Sequence, residues 1–482
     1  MYRRGTLNIP FNRKELYRMA MGKRTPRQQT MWVNHSQLPK GKGHPFYTRL
    51  NDLLAKDGFD AWTENLCAPF FANSGRPSIP PGVYFRMLFI GYLEGFASDR
   101  AIAWNCQDRL SLRAFLGIAL HEPTPDHSSL TIWRQRLSLD VYRAAFQRIL
   151  AIVHRQGLIS AYAAGVDSTT TWANASLKRL ARKDSGASYL DYVKELMREA
   201  GEEPADIAAV VRFDRKRKGK KLSNLHWQST TDPDARITKM KDGATHLAYK
   251  SEHAIDLSSG ALLAAEIHAG GSGDATTMEA TLAAASDNLA SLGDGAPEIL
   301  CAVADKGYHK AELIKRLNRD QGITTYIPEK NTSQRRRWHG DMVACREFHA
   351  NRRRAKGNEG KRLSRLRSWL VERSFAFIKC SGNLARMTLR GADNVAKRYL
   401  MHAAGYNLGL VMRSLYRYGT PREMADLHIR RFLLALAHIF ARTDGSRVLS
   451  GMAGERRRFD RFGLKSCTET AFGPIRAFST YC

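Results

Sequence analysis

The sequence predicts an α/β protein, with a mixed sheet flanked by helices and an all-helical region before it. Two observations lead to this prediction. Near residue 160, segments with helical spacing of apolar residues give way to segments rich in β-branched residues. After that point strand-like and helix-like segments alternate, as they do in mixed α/β layers. Two of the strand-like segments, THLAYKSEHAIDL and ALLAAEIHAG, are joined by Ser258-Ser259-Gly260, which predicts a hairpin. The 482 residues leave room for about two to four domains.

The composition indicates a folded protein with a polyanionic partner. Hydrophobic residues make up 43% of the chain and charged residues 25%, which excludes a mostly disordered protein. The 76 Lys and Arg outnumber the 46 Asp and Glu, so the formal charge is +30. Because this surplus opposes compact folding through self-repulsion, it is most easily tolerated beside a polyanion. Nucleic acid is the first candidate and an anionic membrane surface the second.

Neither a membrane span nor a disulfide framework is predicted. No apolar run reaches the roughly 18 residues that a spanning helix needs, and the amino-terminal segment lacks the apolar core of a secretory signal. The seven cysteines are scattered and form no CxxC pair, which argues against disulfides and a zinc site. We therefore expect a cytoplasmic protein with reduced thiols and no membrane partner.

Charge and pattern divide the chain into four parts. We predict a basic amino-terminal arm over residues 1–43, a helical DNA-binding domain over 44–160 and a mixed α/β domain over 161–415. A basic insertion at about 172–243 interrupts the α/β domain. The tail, residues 416–482, is expected to be helical at first and then disordered.

Basic residues are concentrated in three blocks. Residues 1–43 hold ten Lys or Arg against one acid, residues 212–221 seven against one, and residues 335–367 twelve against three. One such block is usually a solvated loop, but three fit several contacts along a phosphate backbone. Lys216 and Lys218 of the second block are therefore candidates for DNA binding.

Several short helices are predicted in the amino-terminal half. The last of them carries Arg134 and Arg136 beside its apolar positions, and we expect Arg on its outer face. A helix-turn-helix-like module would present such residues to DNA, whereas a plain helical bundle is the simpler alternative. The predicted helix starts are Pro80-Pro81, Ser98, Ser111, and Asp126 with Ser128.

Three acids stand out by their position. Asp167 and Asp305 each lie at the end of a strand-like segment, where α/β sheets commonly bind ligands. Glu372 lies on a predicted long helix, on one polar strip with Arg365 and Lys379, since positions seven apart lie nearly above one another. A salt-bridged surface strip would explain that helix by itself.

Together the three acids suggest metal-dependent chemistry on a phosphodiester. Carboxylates that converge from two strands and a helix can hold two divalent ions about 4 Å apart, which suits in-line attack at phosphorus. Mg²⁺ prefers such hard oxygen donors. The basic blocks would then bind the DNA backbone. Periodicity does not establish that the three side chains converge.

Several motifs resemble those of bacterial insertion-sequence transposases of the DDE class. The resemblance covers roughly residues 45–415, and the segment TPDHSSLTIWRQRL is similar to the amino-terminal domain of that group. The most specific part is DKGY after a short strand, followed later by VERxFxxxK. The motifs are AGVDSTT, STTDPDARI, LAYKSEHAID, VADKGYH and VERSFAFIK.

The resemblance implies that residues 161–415 form an RNase H-like catalytic domain with a DDE triad. The triad would be Asp167, Asp305 and Glu372, as both catalytic and metal-binding residues, with two Mg²⁺ ions per active site and Mn²⁺ as a substitute. Lys379 matches the lysine that the family often has seven positions after the glutamate. Ser368 stands where the family often has an arginine, so the role of that arginine stays open.

The function implied is that of a DNA transposase acting on its own insertion sequence. It would bind the terminal inverted repeats as a homodimer on paired ends and catalyse metal-dependent strand cleavage and strand transfer. It would act on double-stranded DNA in the bacterial cytoplasm, associated with the nucleoid, with the insertion lying over the active site. The alternatives are another RNase H-like nuclease and a catalytically silent DNA-binding protein derived from a transposase.

The remaining candidates for DNA contact are one tryptophan and several basic residues. Trp338 is a candidate for stacking on an unpaired base and equally for packing. His246, His253 and His309 are expected to be structural. The candidates for DNA binding are Arg134, Arg136, Lys216, Lys218, Lys250, Lys306, Arg365 and Lys379.

Overall fold

The structure of the chain is a computed structural model. It describes residues 43–218, 222–239, 243–330 and 340–426, and the single residues Met21, Trp338 and Ile429. The predicted basic arm, most of the predicted tail and part of the third basic block lie outside the described residues.

The amino-terminal part is helical, as predicted. The helices are α1 (Pro45–Lys56), α2 (Phe59–Cys67), α3 (Pro81–Glu94), α4 (Asp99–Asp108), α5 (Leu110–Leu116), α6 (His127–Arg136) and α7 (Leu139–Arg155). Ser98 Oγ caps α4 by accepting a hydrogen bond from the Ala101 amide at 3.2 Å, and Asp126 caps α6 by accepting from the Ser128 amide at 3.1 Å. Ser111 was wrongly predicted as a cap, because α5 begins one residue earlier.

A six-stranded mixed sheet follows, in the order β4-β5-β1-β7-β8 with β6 also paired to β5. The β1–β5 and β5–β6 pairs are antiparallel, whereas β7 and β8 run parallel to β1 and to each other. The mixed α/β layer and the β5–β6 hairpin predicted from the sequence are confirmed. The strands are β1 (Ala163–Trp172), β2 (Leu180–Arg182), β3 (Trp227–Ser229), β4 (Arg236–Lys239), β5 (Thr245–Asp256), β6 (Leu262–Ala269), β7 (Cys301–Val303) and β8 (Thr324–Tyr326).

Helices cover both faces of this sheet. Ser168 contacts α10 and its neighbour Asp167 contacts α13, so these two helices lie on opposite faces, since successive strand residues point in opposite directions. The helices are α8 (Tyr189–Glu199), α9 (Ile207–Lys216), α10 (Asp274–Ala290), α11 (Ala311–Lys315), α12 (Met342–Lys356), α13 (Asn358–Ala376) and α14 (Ala392–Tyr416).

Helix α14 joins the helical part to the sheet. Its Asn407 side chain bonds both the amide and the carbonyl of Leu262 in β6 at 2.9 Å. On another side Gly405 lies against the ring of Tyr92 in α3. One hydrophobic core therefore runs from the amino-terminal helices to the sheet. The domain boundary near residue 160 stays a prediction.

Among the residues placed by the structure, no helix is both long and apolar enough to cross a membrane.

Candidate active site

Two of the predicted acids lie at the same edge of the sheet. Gly165 of β1 pairs with Val303, the last residue of β7. Asp167 and Asp305 each follow two residues later, so they extend side by side from neighbouring parallel strands. The sequence analysis placed Asp167 at the end of its strand, which is wrong. Strand β1 continues to Trp172 with β5 as its partner. It lies instead where the pairing with β7 stops.

The Asp167 carboxylate is held from two sides. Its Oδ1 accepts from the Ser168 amide at 2.8 Å, and its Oδ2 accepts from Arg367 Nη2 of α13 at 3.0 Å. Burial raises the pKa of Asp167, the Arg367 charge opposes that effect, and the carboxylates of Asp305 and Asp274 raise the pKa further. Asp167 therefore responds electrostatically to two other acids.

Asp305 is exposed and caps a short helical turn. Its Oδ1 accepts from the amide of Gly307 at 2.7 Å. A Cβ atom at Gly307 would lie 2.8 Å from Asp305 Oδ1 and 2.5 Å from Asp274 Oδ2. The two carboxylate oxygens therefore flank one position, which only a residue without a side chain leaves open.

Asp274 is an acid of this edge that the sequence analysis missed. It is the first residue of α10, and its Oδ1 accepts from Ser168 Oγ at 3.2 Å and from Lys250 Nζ at 2.8 Å. The sequence marks it only as an acid that opens an Ala-rich helix. Its proximity to Asp305 depends on the packing of α10 against the sheet, which no local pattern reveals.

Glu372 is not brought into contact with the aspartates. It lies on the exposed side of α13, where its carboxylate accepts from Ser368 Oγ at 2.9 Å. Arg367 is the α13 side chain that reaches Asp167. Within the described ranges, no group of three His, Cys, Asp or Glu side chains is placed to hold a metal ion. The donor types suit a hard divalent cation, but the full set is not assembled.

Four of the predicted DNA-binding residues are exposed. Lys306 directly follows Asp305, and Arg365 lies on the same polar side of α13 as Glu372. Lys216 and Lys218 lie at and just after the end of α9, in the predicted insertion. Their exposure is what contact with phosphate requires, and their binding to DNA stays a prediction.

Two other residues predicted to bind DNA have side chains that are buried in ion pairs, and their binding to DNA stays a prediction. Arg134 is only 6% exposed and its guanidinium contacts Asp99, so it does not lie on an outer face. Lys250 is 5% exposed and its ammonium bonds Asp274 at 2.8 Å and lies 3.3 Å from Glu252. The sequence gives a clue to the Lys250–Glu252 pair, because residues two apart on a strand point to the same face of the sheet.

Three further candidates make protein contacts. The Arg136 guanidinium lies over the Phe71 ring, 4.6 Å from its centroid. Lys379 Nζ donates to the carbonyl of Thr170 at 2.9 Å and so ties the helical turn that follows α13 to β1. Trp338 packs edge-on against Phe348, with centroids 5.1 Å apart, which favours the packing alternative.

His253 has the structural role expected of it. It pairs with Asp167 across the strands and is fully buried. The Ser374 hydroxyl donates to the Val371 carbonyl, so Ser374 Oγ accepts from His253 Nε2 at 2.9 Å. Nδ1 is then left to accept from the Tyr399 hydroxyl at 3.1 Å. Burial lowers the pKa of this neutral, fully bonded ring to about 3, with Glu252 opposing the shift.

Two protein-family models match the chain. The model described as Transposase domain (DUF772) matches residues 18–136. The model described as Transposase DDE domain matches residues 192–408, which include Asp305 and Glu372 but not Asp167. No curated protein and no solved structure matches.

Proposed function

The chain belongs to the DDE-class transposases of insertion sequences, whose catalytic core is RNase H-like, and on that premise we propose that it binds the terminal inverted repeats of its own element and catalyses DNA strand cleavage and strand transfer. The observation that carries the proposal is the placement of Asp167 and Asp305 at one sheet edge, beside the helix that carries Glu372. Acids so placed can act together on one phosphodiester.

The proposed cofactor is Mg²⁺, with Mn²⁺ as a substitute and two ions per active site. Asp167, Asp305 and Glu372 would hold them, and the bound ions would activate the attacking hydroxyl and stabilise the leaving oxygen. Carboxylate oxygens fit such ions. Because Arg367 now contacts Asp167 and Glu372 faces outward, the proposal includes a rearrangement of α13 that brings Glu372 to the two aspartates.

The proposed substrate is double-stranded DNA, both the ends of the element and the target. The charge of +30 supports this, because neutralising phosphates releases counterions and supplies much of the affinity for DNA. Lys306 and Arg365 flank the acids, and Lys216 and Lys218 extend the basic surface into the insertion. We further propose that the chain acts as a homodimer on paired ends, on nucleoid DNA in the bacterial cytoplasm.

Strand transfer of a pre-cut terminal fragment into plasmid DNA tests this function. The fragment is taken from inverted repeats in the genomic DNA that flanks the gene. We expect wild-type protein with Mg²⁺ to join the fragment to the plasmid, and Asp305→Ala to bind the fragment without joining it. Cleavage without joining would instead indicate another RNase H-like nuclease. Binding with no metal-dependent cleavage by the wild type would indicate a silent DNA-binding protein.

A further inference from the structure

Strand β5 carries two opposite charges on its α10 side, beneath the acidic edge. Lys250 is 5% exposed and Glu252 is fully buried. Burying ions costs several kcal/mol unless partners satisfy them fully. Both residues belong to the motif LAYKSEHAID, to which the proposed function assigns no role beyond the resemblance.

The Glu252 carboxylate is saturated with donors. Thr277 Oγ1 donates to it at 2.8 Å, Thr281 Oγ1 at 2.5 Å and the Tyr308 hydroxyl at 2.7 Å. Burial would raise the pKa of Glu252, but hydrogen bonds from His268 and Thr281 and the neighbouring Lys250 charge together lower it to about 2. Glu252 is therefore a fixed anion inside the protein.

One connection from Glu252 leads to Asp305. Tyr308, which donates to Glu252, lies in the turn that Asp305 caps through the Gly307 amide. The Tyr308 ring is fully buried, so the bond from its hydroxyl to Glu252 anchors the turn in the interior of the protein. The direction of the exposed Asp305 carboxylate thus depends on a bond made in the interior.

A second connection leads to Asp274. Lys250 Nζ lies 3.3 Å from Glu252 and donates to Asp274 and to Thr277, both at 2.8 Å. Asp274 in turn flanks the Gly307 position opposite Asp305. The same buried anion therefore supports carboxylates on both sides of Gly307.

We propose that Glu252 is a positioning residue for the proposed reaction: through Tyr308 and Lys250 it sets the relative position of Asp305 and Asp274 beside Asp167. The inference rests on the proposed function, because it gives Glu252 a role in a metal-dependent site. Glu252 touches neither DNA nor metal and acts only through these neighbours.

Mn²⁺ binding to the full chain without DNA, followed by electron paramagnetic resonance of free Mn²⁺, tests the proposal. Loss of a supporting residue typically weakens metal binding about 10- to 100-fold, so we expect Glu252→Gln and Tyr308→Phe each to raise the half-saturating Mn²⁺ concentration at least tenfold. Because both changes break the same connection, the one from Glu252 to Asp305, the double variant should have nearly the same Mn²⁺ half-saturation as Glu252→Gln alone. Tyr308→Phe retains the ring and keeps the test available should Glu252→Gln fail to fold.

Ser251→Ala is the matched control. Ser251 lies between the two charged residues on β5 but faces the other side, where its hydroxyl bonds Thr171 at 2.7 Å. The Ser251→Ala substitution removes a buried hydrogen bond but leaves the connections through Tyr308 and Lys250 intact. We expect its Mn²⁺ half-saturation to stay within twofold of wild type, even where its melting temperature falls. Half-saturation within twofold of wild type for both Glu252→Gln and Tyr308→Phe, or an equal shift for Ser251→Ala, would overturn the proposal.

Strand transfer by the wild type separates this inference from the proposed function. A wild type that binds Mn²⁺ but joins no DNA overturns the transposase activity, while the binding data still decide the role of Glu252. A wild type that neither binds Mn²⁺ nor joins DNA overturns both. A wild type that binds Mn²⁺ and joins DNA, with variants that bind equally well, overturns the positioning role alone.

Discussion

At the scale of single residues, the acidic edge depends on the missing side chain of Gly307. A methyl group there would lie 2.5 Å from Asp274 Oδ2 and 2.8 Å from Asp305 Oδ1. Both atoms end movable side chains, so we expect Gly307→Ala to push the carboxylates apart and leave the fold intact. A displacement of about 1 Å can cost roughly 100-fold in rate.

Single-turnover joining of a terminal fragment measures that loss. Gly271→Ala is the matched control, because a Cβ at Gly271 meets its nearest neighbour, Asn224, at an ordinary 3.5 Å. Equal rates for Gly307→Ala and wild type would show that the spacing of these carboxylates does not matter.

Burial of His253 makes stability depend on pH. Its pKa is about 3 in the fold against about 6.5 in the unfolded chain. The unfolded state therefore takes up the proton first, and the stability contributed by neutral His253 is complete above pH 6.5 and is lost as pH falls toward 3. The expected slope from this residue is about 1.4 kcal/mol per pH unit.

Urea unfolding between pH 6.5 and 5 measures that slope. We expect His253→Gln to reduce it, whereas substitution of the exposed His121 by Gln should leave it unchanged. An undiminished slope in His253→Gln would assign the pH dependence to other groups.

At the scale of elements, α14 packs against α3 with no room for a side chain at Gly405. A Cβ there would lie 2.7 Å from the nearest ring atom of Tyr92. Overpacking of this kind costs about 1–3 kcal/mol, so Gly405→Ala should lower the free energy of unfolding despite the higher helix propensity of Ala. Urea denaturation checks this, with Ser414→Ala on the exposed side of the same helix as the control. A more stable Gly405→Ala would contradict the close contact.

Local patterns predicted the elements well and their partners poorly. The β5–β6 hairpin and the cap at Ser98 follow from residues adjacent in sequence, and both are confirmed. The outer-face position expected of Arg134 was wrong and the burial of Lys250 was missed, because Asp99 and Asp274 reach these side chains from elsewhere in the fold. Asp99 lies on a different helix from Arg134, and periodicity shows which side of a helix is polar but not what covers it.

The same limit applies to the acids of the site. The apolar segments before Asp167 and Asp305 pointed to one edge of a sheet, and the parallel pairing of β1 with β7 brings both acids there, although β1 itself continues past Asp167. Asp274 and Glu252 were missed because their roles depend on how α10 packs on β5. The position of Glu372 relative to the aspartates could not be predicted from helical spacing.

At the scale of the whole molecule, the charge of +30 should appear as salt-dependent DNA binding. Each phosphate contact contributes about 0.9 to the slope of log affinity against log salt concentration. Replacing Arg215, Lys216 and Lys218, all exposed, by Gln should therefore reduce the slope by about 2 to 3. Lys56→Gln, exposed at the end of α1, is a control outside the insertion. An unchanged slope in the triple variant would remove the insertion from the DNA interface.

The role of Glu372 is tested most directly by joining a pre-cut terminal fragment with Glu372→Gln. Glu359→Gln is the matched control, because Glu359 is an exposed acid of the same helix, paired with Arg362 at 2.7 Å. We expect Glu372→Gln to lose joining by about 100- to 1,000-fold while still binding the fragment, and Glu359→Gln to join at the wild-type rate. Joining by Glu372→Gln at the wild-type rate would contradict a triad of Asp167, Asp305 and Glu372.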